Sequence, residues 1–503
     1  MNSALDTLRQ LFSKYPDYPV IVAYSGGADS QVLLDLVCQT LTEENQTTNV
    51  EVEHKTSTRD LLVCHIHHGL SANADSWQAF AERECERRGV ALKVVKVKLA
   101  TESGESIEAL ARDARYQALT AASKKPALVL TGHHIDDQLE TMLLALKRGS
   151  GVKGLGAMAS ESDLAQHKLC RPLISVSRSD IETYAANQHL DWVTDESNAD
   201  TRYDRNFLRN DIIPSIAARW PAFSQAAARS AELCQQNQQL VEALAEQDLS
   251  NLVADSTQIQ PRRANAKTGL NIETGLPIDK LAKLSQVRFN NLIRHFIASR
   301  VSLSQSSLTV KMPSQAQLNQ LYQQLGVADD KVPEIKLGNI WARRFQGQLF
   351  FTKAFTDISD FSANISIESL NEGCQVVELP DGLGKLVFSA VLNKGQGALV
   401  MSLPKSVTNL AIKFSHTNPK ILPDYRNHSR SMKKVLQELN IPTWQRKRLP
   451  FIYAYHDANE GVNREASEPA LVGIPNYFVC QPFLPKEQAS EDTLFTVEWH
   501  NSP

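Results

Sequence analysis

Short apolar strands and amphipathic helices alternate along roughly the first 215 residues, and this alternation limits the fold more than any other feature of the chain. Runs typical of strands, rich in Leu or β-branched residues, occupy residues 19–24, 61–66, 92–97 and 127–131. Apolar residues at helical spacing lie between them, most clearly in residues 105–122. Strict alternation predicts a parallel sheet with helices on both faces. Such sheets bind ligands at the carboxyl ends of their strands, so we expect functional residues in the loops that follow the strands.

A glycine-rich turn joins the first strand to the next helix, and its residues are Ser25, Gly26, Gly27, Ala28, Asp29 and Ser30. Two glycines let the backbone turn tightly and direct its N–H groups at an anion, which the helix N-terminus also favours. Ser25 and Ser30 can donate their hydroxyls to phosphate oxygens. Asp29 would repel a phosphate, so it suits holding Mg²⁺ beside one, or orienting an incoming amine or nucleophile. The turn predicts a nucleotide site, the alternative being an ordinary turn capped by Ser and Asp.

The spacing of this turn is neither G-x-x-x-x-G-K-[ST] nor G-x-G-x-x-G, so it indicates neither a Walker ATPase nor a dinucleotide enzyme. It resembles the S-G-G-x-D-S loop of the N-type ATP pyrophosphatases. The resemblance implies that ATP is a co-substrate. In that superfamily the loop holds the pyrophosphate of ATP while a substrate oxygen attacks the α-phosphate, and an adenylated intermediate results.

Three carboxylates, Asp136, Asp137 and Glu140, follow the fourth strand in a helix that should start near Ile135. Spacings of three and four residues crowd them on one side of that helix. Such a cluster at the carboxyl end of a strand predicts a cation, either Mg²⁺ or a positively charged substrate, although acids are also common at helix N-termini. The opposite side should be buried, and it consists of Leu139, Met142, Leu143 and Leu146.

Histidines and arginines surround the same strand ends. Paired histidines occur at 67–68 and 133–134. A zinc site is less favoured there than hydrogen bonding or stacking near a nucleotide, because adjacent histidines point in different directions. Arg112 and Arg115 share the polar face of their helix, where they could clamp a phosphate or a carboxylate, or simply meet solvent. Residues 147–155 place glycines around Arg148 and two lysines, which predicts a mobile basic loop over the substrate.

These stretches, taken in order, resemble the bacterial tRNA(Ile)-lysidine synthetases. The shared motifs are S-G-G-x-D-S, H-H-G-L, A-R-x-x-R-Y, H-x-x-D-D-Q-x-E-T, R-G-S-G followed by G-L, R-P-L at 171–173, and D-x-S-N at 195–198 with R-N-x-x-R at 205–209. Seven ordered matches over about 190 residues are far more specific than one glycine loop.

The resemblance continues in the last third of the chain, where residues 433–450 look like the K-K-x-x-Q-E-L, I-P-x-W-x-R and P segment of the family. Relatives commonly have a glycine before this basic helix, whereas this chain has residues 426–430 without one. Residues 424–450 hold seven Lys or Arg against two acids, and Tyr425 and Trp444 are available for stacking on RNA. Over the whole chain, 53 Lys and Arg against 56 Asp and Glu exclude a uniformly basic coat but allow this local patch. The alternative is a solvated charged helix.

The family resemblance implies ligation of L-lysine to the wobble cytidine of a tRNA(Ile) with a CAU anticodon. Cytidine O2 would attack the α-phosphorus of ATP, and the lysine ε-amine would then attack C2 of the adenylated base and expel AMP. The product pairs with A instead of G, and the tRNA changes its identity from methionine to isoleucine.

The same resemblance implies roles for the candidate residues. The phosphate loop would hold pyrophosphate, and Asp29 would hold Mg²⁺. The three carboxylates of 136–140 would recognise the lysine ammonium, while Arg112 and Arg115 would bind the lysine carboxylate or the nucleotide. Phosphates of the tRNA would meet Arg148, Arg205, Arg209, Lys433, Lys434 and Arg446.

The expected fold is α/β, with a Rossmann-like, parallel-sheet ATP pyrophosphatase domain in residues 1–216. A mainly helical, tRNA-binding middle domain should occupy 217–355, including a long helix over 216–247 and a strand-like stretch at 340–351. A small α+β tRNA-binding domain should occupy 363–503. Seven scattered cysteines without C-x-x-C spacing, and the lack of a signal-peptide or membrane-spanning run, predict a cytoplasmic protein without a membrane partner, either monomer or homodimer.

Two other functions remain open from the sequence. A tRNA thiolase of the same superfamily would activate a base for sulfur, but such enzymes usually need a cysteine pair or an iron–sulfur site. A non-catalytic tRNA-binding protein would need neither the full phosphate loop nor every carboxylate of the acidic cluster, and both are present.

Overall fold

The computed structural model describes residues 1–48, 59–69, 71, 73–97, 107–253, 275–303, 311–326, 334–390, 400–456, 469–485 and 492–500. The chain forms two compact units, Met1–Val241 and Glu242–Pro503. Leu70 of the H-H-G-L motif and the expected helix start at 105–106 lie outside the described residues.

The first unit contains the predicted alternation. Its elements, in chain order, are α1 (Asn2–Lys14), β1 (Val20–Tyr24), α2 (Ala28–Thr48), β2 (Leu61–His67), α3 (Ala74–Arg88), β3 (Ala91–Lys96), α4 (Ile107–Thr120), β4 (Leu128–Leu130), α5 (Ile135–Lys147), α6 (Val152–Leu155), β5 (Glu161–Leu164), β6 (His167–Cys170), α7 (Arg178–Asn187), α8 (Asp204–Phe207), α9 (Ile213–Arg219) and α10 (Phe223–Val253), which runs on into the second unit. A 3-10 turn covers Glu196–Ala199, and a π-helical turn covers Leu208–Ile212.

One six-stranded sheet organises this unit, in the order β3-β2-β1-β4-β6-β5. Every neighbouring pair is parallel except β5 with β6, which is antiparallel at the edge. The order reverses between β1 and β4, and in such sheets the crevice at the reversal point is where ligands bind. The expected Rossmann-like parallel fold is therefore confirmed.

Both faces of the sheet are covered, as the alternation along β1 requires. Val20, Val22 and Tyr24 face a buried core that includes the apolar side of α2. Ile21 faces the other core together with Leu119 of α4. These five residues are at most 2% exposed, so buried cores cover both faces of the strand that leads into the phosphate loop.

The long helix expected over 216–247 is two helices. α9 ends at Arg219, and α10 begins at Phe223. Trp220 leaves the helical region with φ −133° and ψ 86°. The prediction was wrong at this point because Pro221 follows, and proline disfavours helical backbone in the residue before it.

The second unit begins with helices around a small antiparallel sheet. The elements are β7 (Leu276–Pro277), α11 (Ile278–Leu281), α12 (Gln286–Leu303), α13 (Gln315–Gln324), β8 (Ile335–Leu337), β9 (Ile340–Phe345) and β10 (Gln348–Lys353), with sheet order β7-β10-β9-β8. The single strand-like stretch expected at 340–351 is a hairpin. Gln346 and Gly347 turn it, with φ values of 48° and 71°, as a two-residue turn of this handedness requires.

The rest of the second unit is rich in strands. Its elements are β11 (Ser362–Ser366), α14 (Ile367–Glu372), β12 (Gln375–Glu378), β13 (Lys385–Ala390), β14 (Val400–Leu403), β15 (Val407–Lys413), β16 (Lys420–Ile421), β17 (Arg430–Ser431), α15 (Met432–Glu438), α16 (Thr443–Arg446), β18 (Phe451–His456), β19 (Ala470–Ile474), β20 (Phe478–Val479) and β21 (Thr493–His500), with a 3-10 turn at Gln481–Phe483. They form sheets β11-β15-β18-β19-β20, β12-β13-β21-β14 and β16-β17 around a common buried core. The expected α+β character is confirmed.

Across the described ranges, no helix combines the length and the apolar character that a membrane crossing needs.

Candidate active site

The phosphate loop follows β1 and leads into α2, at the point where the strand order reverses. Ser30 ties the loop together. Its Oγ accepts hydrogen bonds from the N–H groups of Ser25 and Gly26, at 3.3 and 3.1 Å, and donates to the carbonyl oxygen of Gly27 at 2.9 Å. Ser30 is buried, whereas Ser25 is exposed. Of the two hydroxyls predicted to meet phosphate, that of Ser30 shapes the loop, while that of the exposed Ser25 accepts from the N–H of Gly27 at 3.4 Å.

Gly26 is required at its position by both conformation and space. Its φ is +85°, in the left-handed region, and an added Cβ would lie 2.9 Å from Cγ2 of Val193. Its carbonyl oxygen accepts a hydrogen bond from the N–H of Val193 at 2.9 Å. The loop is thus held by the segment that follows α7, far along the chain.

The loop after β4 packs directly against the start of α2. A Cβ at Gly132 would come within 3.0 Å of the carbonyl group of Asp29. This approach brings His134, which is 1% exposed, between the phosphate loop and the acidic cluster. His134 Nε2 lies 3.8 Å from Asp29 Oδ1 and 3.5 Å from Asp137 Oδ2, and Nδ1 lies 3.6 Å from Asp136 Oδ2. Burial lowers the pKa of His134, but the three carboxylates outweigh it and raise that pKa above its ordinary value.

One carboxylate oxygen of Asp29 makes no hydrogen bond within the residues that the structure describes, although it lies 3.8 Å from His134 Nε2. Oδ1 is buried and has no hydrogen-bond partner among the described residues, and Oδ2 lies 3.6 Å from a guanidinium nitrogen of Arg178. Burial raises the pKa of Asp29, and His134 and Arg178 oppose that rise. Within the described part of the chain, no three His, Cys, Asp or Glu side chains form a ready-made metal site. The arrangement fits Mg²⁺ held by Asp29 together with phosphate oxygens, the sharing that this ion prefers.

Asp136 is bound to two neighbouring helices. Its Oδ2 accepts from the N–H of Arg178 at 3.0 Å, and its Oδ1 accepts from the hydroxyl of Ser224 at 3.0 Å. Burial would raise the pKa of Asp136, but His134 and these two donors lower it to about 2. Asp136 therefore fixes the starts of α7 and α10 beside the phosphate loop.

Glu140 and Asp137 are paired with arginines of the R-N-x-x-R motif. Glu140 is 1% exposed, and Arg209 contacts both its oxygens, at 2.6 and 3.0 Å. Arg205 Nε lies 3.0 Å from Glu140 Oε2, and Arg209 also reaches Asp137 Oδ1 at 3.1 Å. The sequence analysis assigned the carboxylates to the lysine ammonium and the two arginines to tRNA phosphates. It gave no sign of this pairing, because the partners lie more than 60 positions apart.

Two further histidines near the site are neutral. His133 Nδ1 lies 2.9 Å from the Thr131 hydroxyl, and burial lowers the pKa of His133 to about 4. Burial, aided by Arg115, lowers the pKa of His68 to about 4. Neutral imidazoles can donate or accept hydrogen bonds toward a base or a ribose without adding charge.

The other arginines predicted in this unit are exposed. Arg112 and Arg115 are exposed residues of α4, and the Arg112 guanidinium sits 5.6 Å from the centre of the Tyr116 ring. Arg115 is near enough to the site for its charge to help lower the pKa of His68 and His133. Arg148 is the exposed residue at which α5 ends. Leu146, which was expected on the buried side of α5, is 54% exposed, so that prediction was wrong. The last turn of α5 has left the core by this point, and the basic loop follows.

Arg178 and Ser224 belong to the site but were missed by the sequence analysis. Ser177 caps α7 by accepting from the N–H of Asp180, so an S-x-x-D pattern marked the helix that carries Arg178. Nothing in that pattern pointed to Asp29. Ser224 stands in an Ala- and Gln-rich helix and had no signal of its own.

In the second unit, the basic segment 424–450 carries less free charge than its composition indicates. Arg426 and Arg430 both pair with Glu438. Arg446 is half-buried, and its Nε donates to the carbonyl oxygen of Ile441 at 2.9 Å. Three lysines of the segment are exposed, namely Lys433, Lys434 and Lys447.

Trp444 is not placed to stack on RNA. It is 8% exposed, and its ring centre lies 5.6 Å from that of Phe350 and 6.0 Å from that of Phe345. The stacking role expected for it was wrong, because the I-P-x-W stretch uses this side chain to pack against the β9–β10 hairpin. Tyr425 is half-buried, with its ring centre 6.4 Å from that of Phe478.

Three family models match the chain: a PP-loop domain over residues 2–216, a TilS substrate binding domain over 276–350 and a TilS substrate C-terminal domain over 410–458. The tRNA(Ile)-lysidine synthase of Vibrio parahaemolyticus is 38% identical over 489 residues, which cover 95% of this chain and 97% of that relative. The enzyme of the same name from Serratia proteamaculans is 38% identical over 436 residues, 86% of this chain and 88% of the relative.

A solved U34-tRNA thiolase from Methanococcus maripaludis is 16% identical, and the match covers 46% of this chain and 78% of the thiolase chain. Its TM-score is 0.37, and we infer nothing from it. Identity of 38% with a curated relative extends over nearly the whole length of both chains and over all three matched domains. The chain therefore belongs to the tRNA(Ile)-lysidine synthase family.

Proposed function

We propose that this chain uses ATP to join L-lysine to C2 of the wobble cytidine of tRNA(Ile) with a CAU anticodon, giving lysidine, AMP and pyrophosphate. One observation carries the proposal beyond family membership. His134 contacts Asp29 of the phosphate loop and also Asp136 and Asp137 of the acidic cluster, all within 3.8 Å. An ATP site and an ammonium site separated by one imidazole suit a reaction in which a nucleotide-activated base receives an amine.

In the first step, cytidine O2 attacks the α-phosphorus of ATP and pyrophosphate leaves. The N–H groups of Ser25 and Gly26 hold Ser30, so the N–H groups at the start of α2 and the hydroxyl of Ser25 would donate to the pyrophosphate oxygens. The N-terminus of α2 favours the negative charge that gathers there. Asp29 would hold Mg²⁺, and the ion would offset phosphate charge when bound. Arg178, 3.6 Å from Asp29, adds a positive charge to the same side of the loop.

In the second step, the lysine ε-amine attacks C2 and AMP leaves. We assign recognition of an ammonium group of lysine to Asp137 and Glu140, whose buried carboxylates already hold the cationic Arg209. Asp136 would shape this site without touching lysine, because its oxygens hold the starts of two helices through Arg178 and Ser224. Asp137 and Glu140 would instead exchange the Arg209 guanidinium for the ammonium group. Arg112 and Arg115 would bind either the lysine carboxylate or the nucleotide.

For tRNA binding, we propose three functional parts: a catalytic domain in residues 1–216 and tRNA-binding domains in 217–355 and 363–503. Arg148 would contact phosphates around the anticodon loop. Arg205 and Arg209 would do the same after they exchange their carboxylate partners for phosphates. In the last domain, Lys433 and Lys434 are exposed and would meet phosphate directly, whereas Arg446 is held by the Ile441 carbonyl oxygen. Because the substrate is tRNA, the protein would act in the cytoplasm.

The test is exchange of labelled pyrophosphate into ATP with unmodified CAU-anticodon tRNA, followed by transfer of labelled lysine. We expect exchange that depends on tRNA and incorporation that depends on lysine, and a GAU anticodon should support neither because its wobble base is not cytidine. Exchange without lysine incorporation would favour a thiolase. Binding of tRNA with no exchange would favour a non-catalytic protein.

A further inference from the structure

The two residues that flank the phosphate loop are joined by a buried hydrogen bond. Tyr24 ends β1 just before the loop, and Gln31 follows its last residue. The Tyr24 hydroxyl donates to Oε1 of Gln31 at 2.5 Å, and Nε2 of Gln31 donates to Oε2 of Glu84 on α3 at 2.7 Å. Gln31 is 0% exposed, Tyr24 2% and Glu84 8%. A single amide thus closes the loop at its base and ties it to a third element.

The network extends into two more helices. Glu84 accepts from Arg87 at 2.8 Å and lies 3.7 Å from Nε of Arg88. Arg88 in turn pairs with Asp35 of α2 at 2.7 Å, and Asp35 accepts from the hydroxyl of Tyr184 on α7 at 3.0 Å. The base of the loop is therefore connected to α2, α3 and α7.

The protonation states of Tyr24 and Glu84 decide which groups of this network donate hydrogen bonds and which accept them. Burial raises the pKa of Tyr24, so its hydroxyl stays a neutral donor. Burial would raise the pKa of Glu84, but Arg87 and Gln31 outweigh burial and hold that pKa below its ordinary value. With a phenol on one side and a carboxylate on the other, the Gln31 amide has one stable orientation, oxygen toward Tyr24 and nitrogen toward Glu84.

We propose that Gln31 is a positioning residue for the ATP reaction. By accepting from Tyr24 and donating to Glu84, Gln31 holds the two ends of the phosphate loop together and so sets the directions of its N–H groups. This inference rests on the proposed function. The N–H groups stabilise charge in the transition state only if they are aimed beforehand, and a displacement of about 1 Å can reduce the rate roughly 100-fold. A buried polar network at the base of the loop supplies that rigidity, whereas apolar packing alone would allow the loop to shift.

Gln31→Glu is the principal test, because it places a carboxylate against Glu84 at the position now 2.7 Å away. We expect kcat of ATP/pyrophosphate exchange to fall about 10- to 100-fold with KM for ATP within about 3-fold, the pattern of an interaction made in the transition state. The double variant Gln31→Glu/Glu84→Gln exchanges carboxylate and amide, so that Tyr24 and the new amide both donate to position 31. Arg87, whose side chain is 58% exposed, can turn its second nitrogen to solvent and keep its bond to the remaining oxygen at position 84. Its kcat should return to within about 3-fold of the parent enzyme.

The chain offers a matched control on the same helix. Gln39 is exposed, and its Nε2 donates to Oε1 of Glu43 at 3.2 Å. Gln39→Glu makes the same change next to the same kind of partner, but away from the loop, and should leave kcat unchanged. If Gln31→Glu fails to fold, Tyr24→Phe removes one donor only, and we expect it to lower kcat about 3- to 10-fold.

Three results would overturn the inference. The first is an unchanged kcat per folded molecule in Gln31→Glu, which would make the network merely structural. The second is a folded swap variant as slow as Gln31→Glu. The third is a folded Tyr24→Phe enzyme with parental kcat. Failure of the parent enzyme to catalyse tRNA-dependent exchange would instead count against the proposed function, so the two failures are distinguishable.

Discussion

Asp137 and Glu140 of α5 in the first unit are buried and paired with arginines, whereas the lysines of α15 in the second unit are exposed. Glu140 is 1% exposed and is held by two arginines, while Lys433 and Lys434 both face solvent. Buried pairs are costly to desolvate and hold a defined geometry, and exposed charges attract phosphate at long range and are weakened by salt. The two regions thus differ in the way that the proposed roles require, with a fixed geometry for chemistry in one and long-range attraction to RNA in the other.

The strongest expected effect lies in the buried region. Asp29→Asn keeps the size of the side chain but removes the charge beside His134 and Arg178. We expect at least about a 100-fold loss of ATP/pyrophosphate exchange, because preorganised charge at the phosphates is lost, with tRNA affinity within about 3-fold. Asp17 is exposed, and Asp17→Asn serves as the control. An undiminished exchange rate would remove Asp29 from the mechanism.

Breaking a buried pair should cost far more stability than breaking an exposed one. Glu140→Gln removes the carboxylate shared by Arg205 and Arg209 and leaves Arg209 only Asp137, and we expect the free energy of unfolding to fall by roughly 3 kcal/mol. The matched change is Glu43→Gln, whose partner Arg9 is 49% exposed, and it should cost far less, because solvent screens an exposed pair. Urea unfolding of both variants measures the difference, and equal losses would erase the contrast between buried and exposed pairs.

Acid should weaken the buried region in a defined pH range. The pKa of Asp136 is lowered to about 2, so its contribution is complete above the ordinary aspartate value of about 3.9 and is lost as pH falls through 2. As pH rises, His134 loses its proton, and because Asp136 helps to raise the pKa of His134, the stability difference between the parent protein and Asp136→Asn should decrease. The difference should also shrink, by roughly 2 kcal/mol in total, as pH falls from 4 to 2. A difference that does not change over that range would contradict the assigned contacts.

The smallest effect is expected for the exposed region, where each charge acts alone. Neutralising Lys433, Lys434 and Arg446 together should weaken tRNA binding about 10-fold and reduce the slope of log affinity against log salt, by roughly 0.7 to 0.9 for each lost phosphate contact. The exposed lysines should account for most of this. Lys433→Ala/Lys434→Ala should nearly match the triple variant, and Arg446→Ala should change little, because Arg446 is held by Ile441. An unchanged salt slope in the triple variant would refute the patch.

The same contrast explains what the sequence could predict. Four of the five parallel strands and the phosphate loop depend on local patterns, namely apolar runs and paired glycines, and each was located to within one or two residues. The fifth, β6, was not predicted. The pairing of Glu140 with Arg209 depends on two segments that meet only in the folded chain, and no local pattern encodes it. The stacking role predicted for Trp444 was wrong for a related reason. Its exposure is decided by the β9–β10 hairpin, which lies about 100 positions earlier.

The hydrogen bond from Val193 to the Gly26 carbonyl has an evolutionary and engineering consequence. The S-G-G-x-D-S sequence takes its shape partly from a segment about 165 residues later, so transplanting the six residues into another strand–helix junction would carry over the glycines but not the support that aims them. A chimaera would need the turn after α7 as well. In an evolving family, these two segments are expected to change together or not at all.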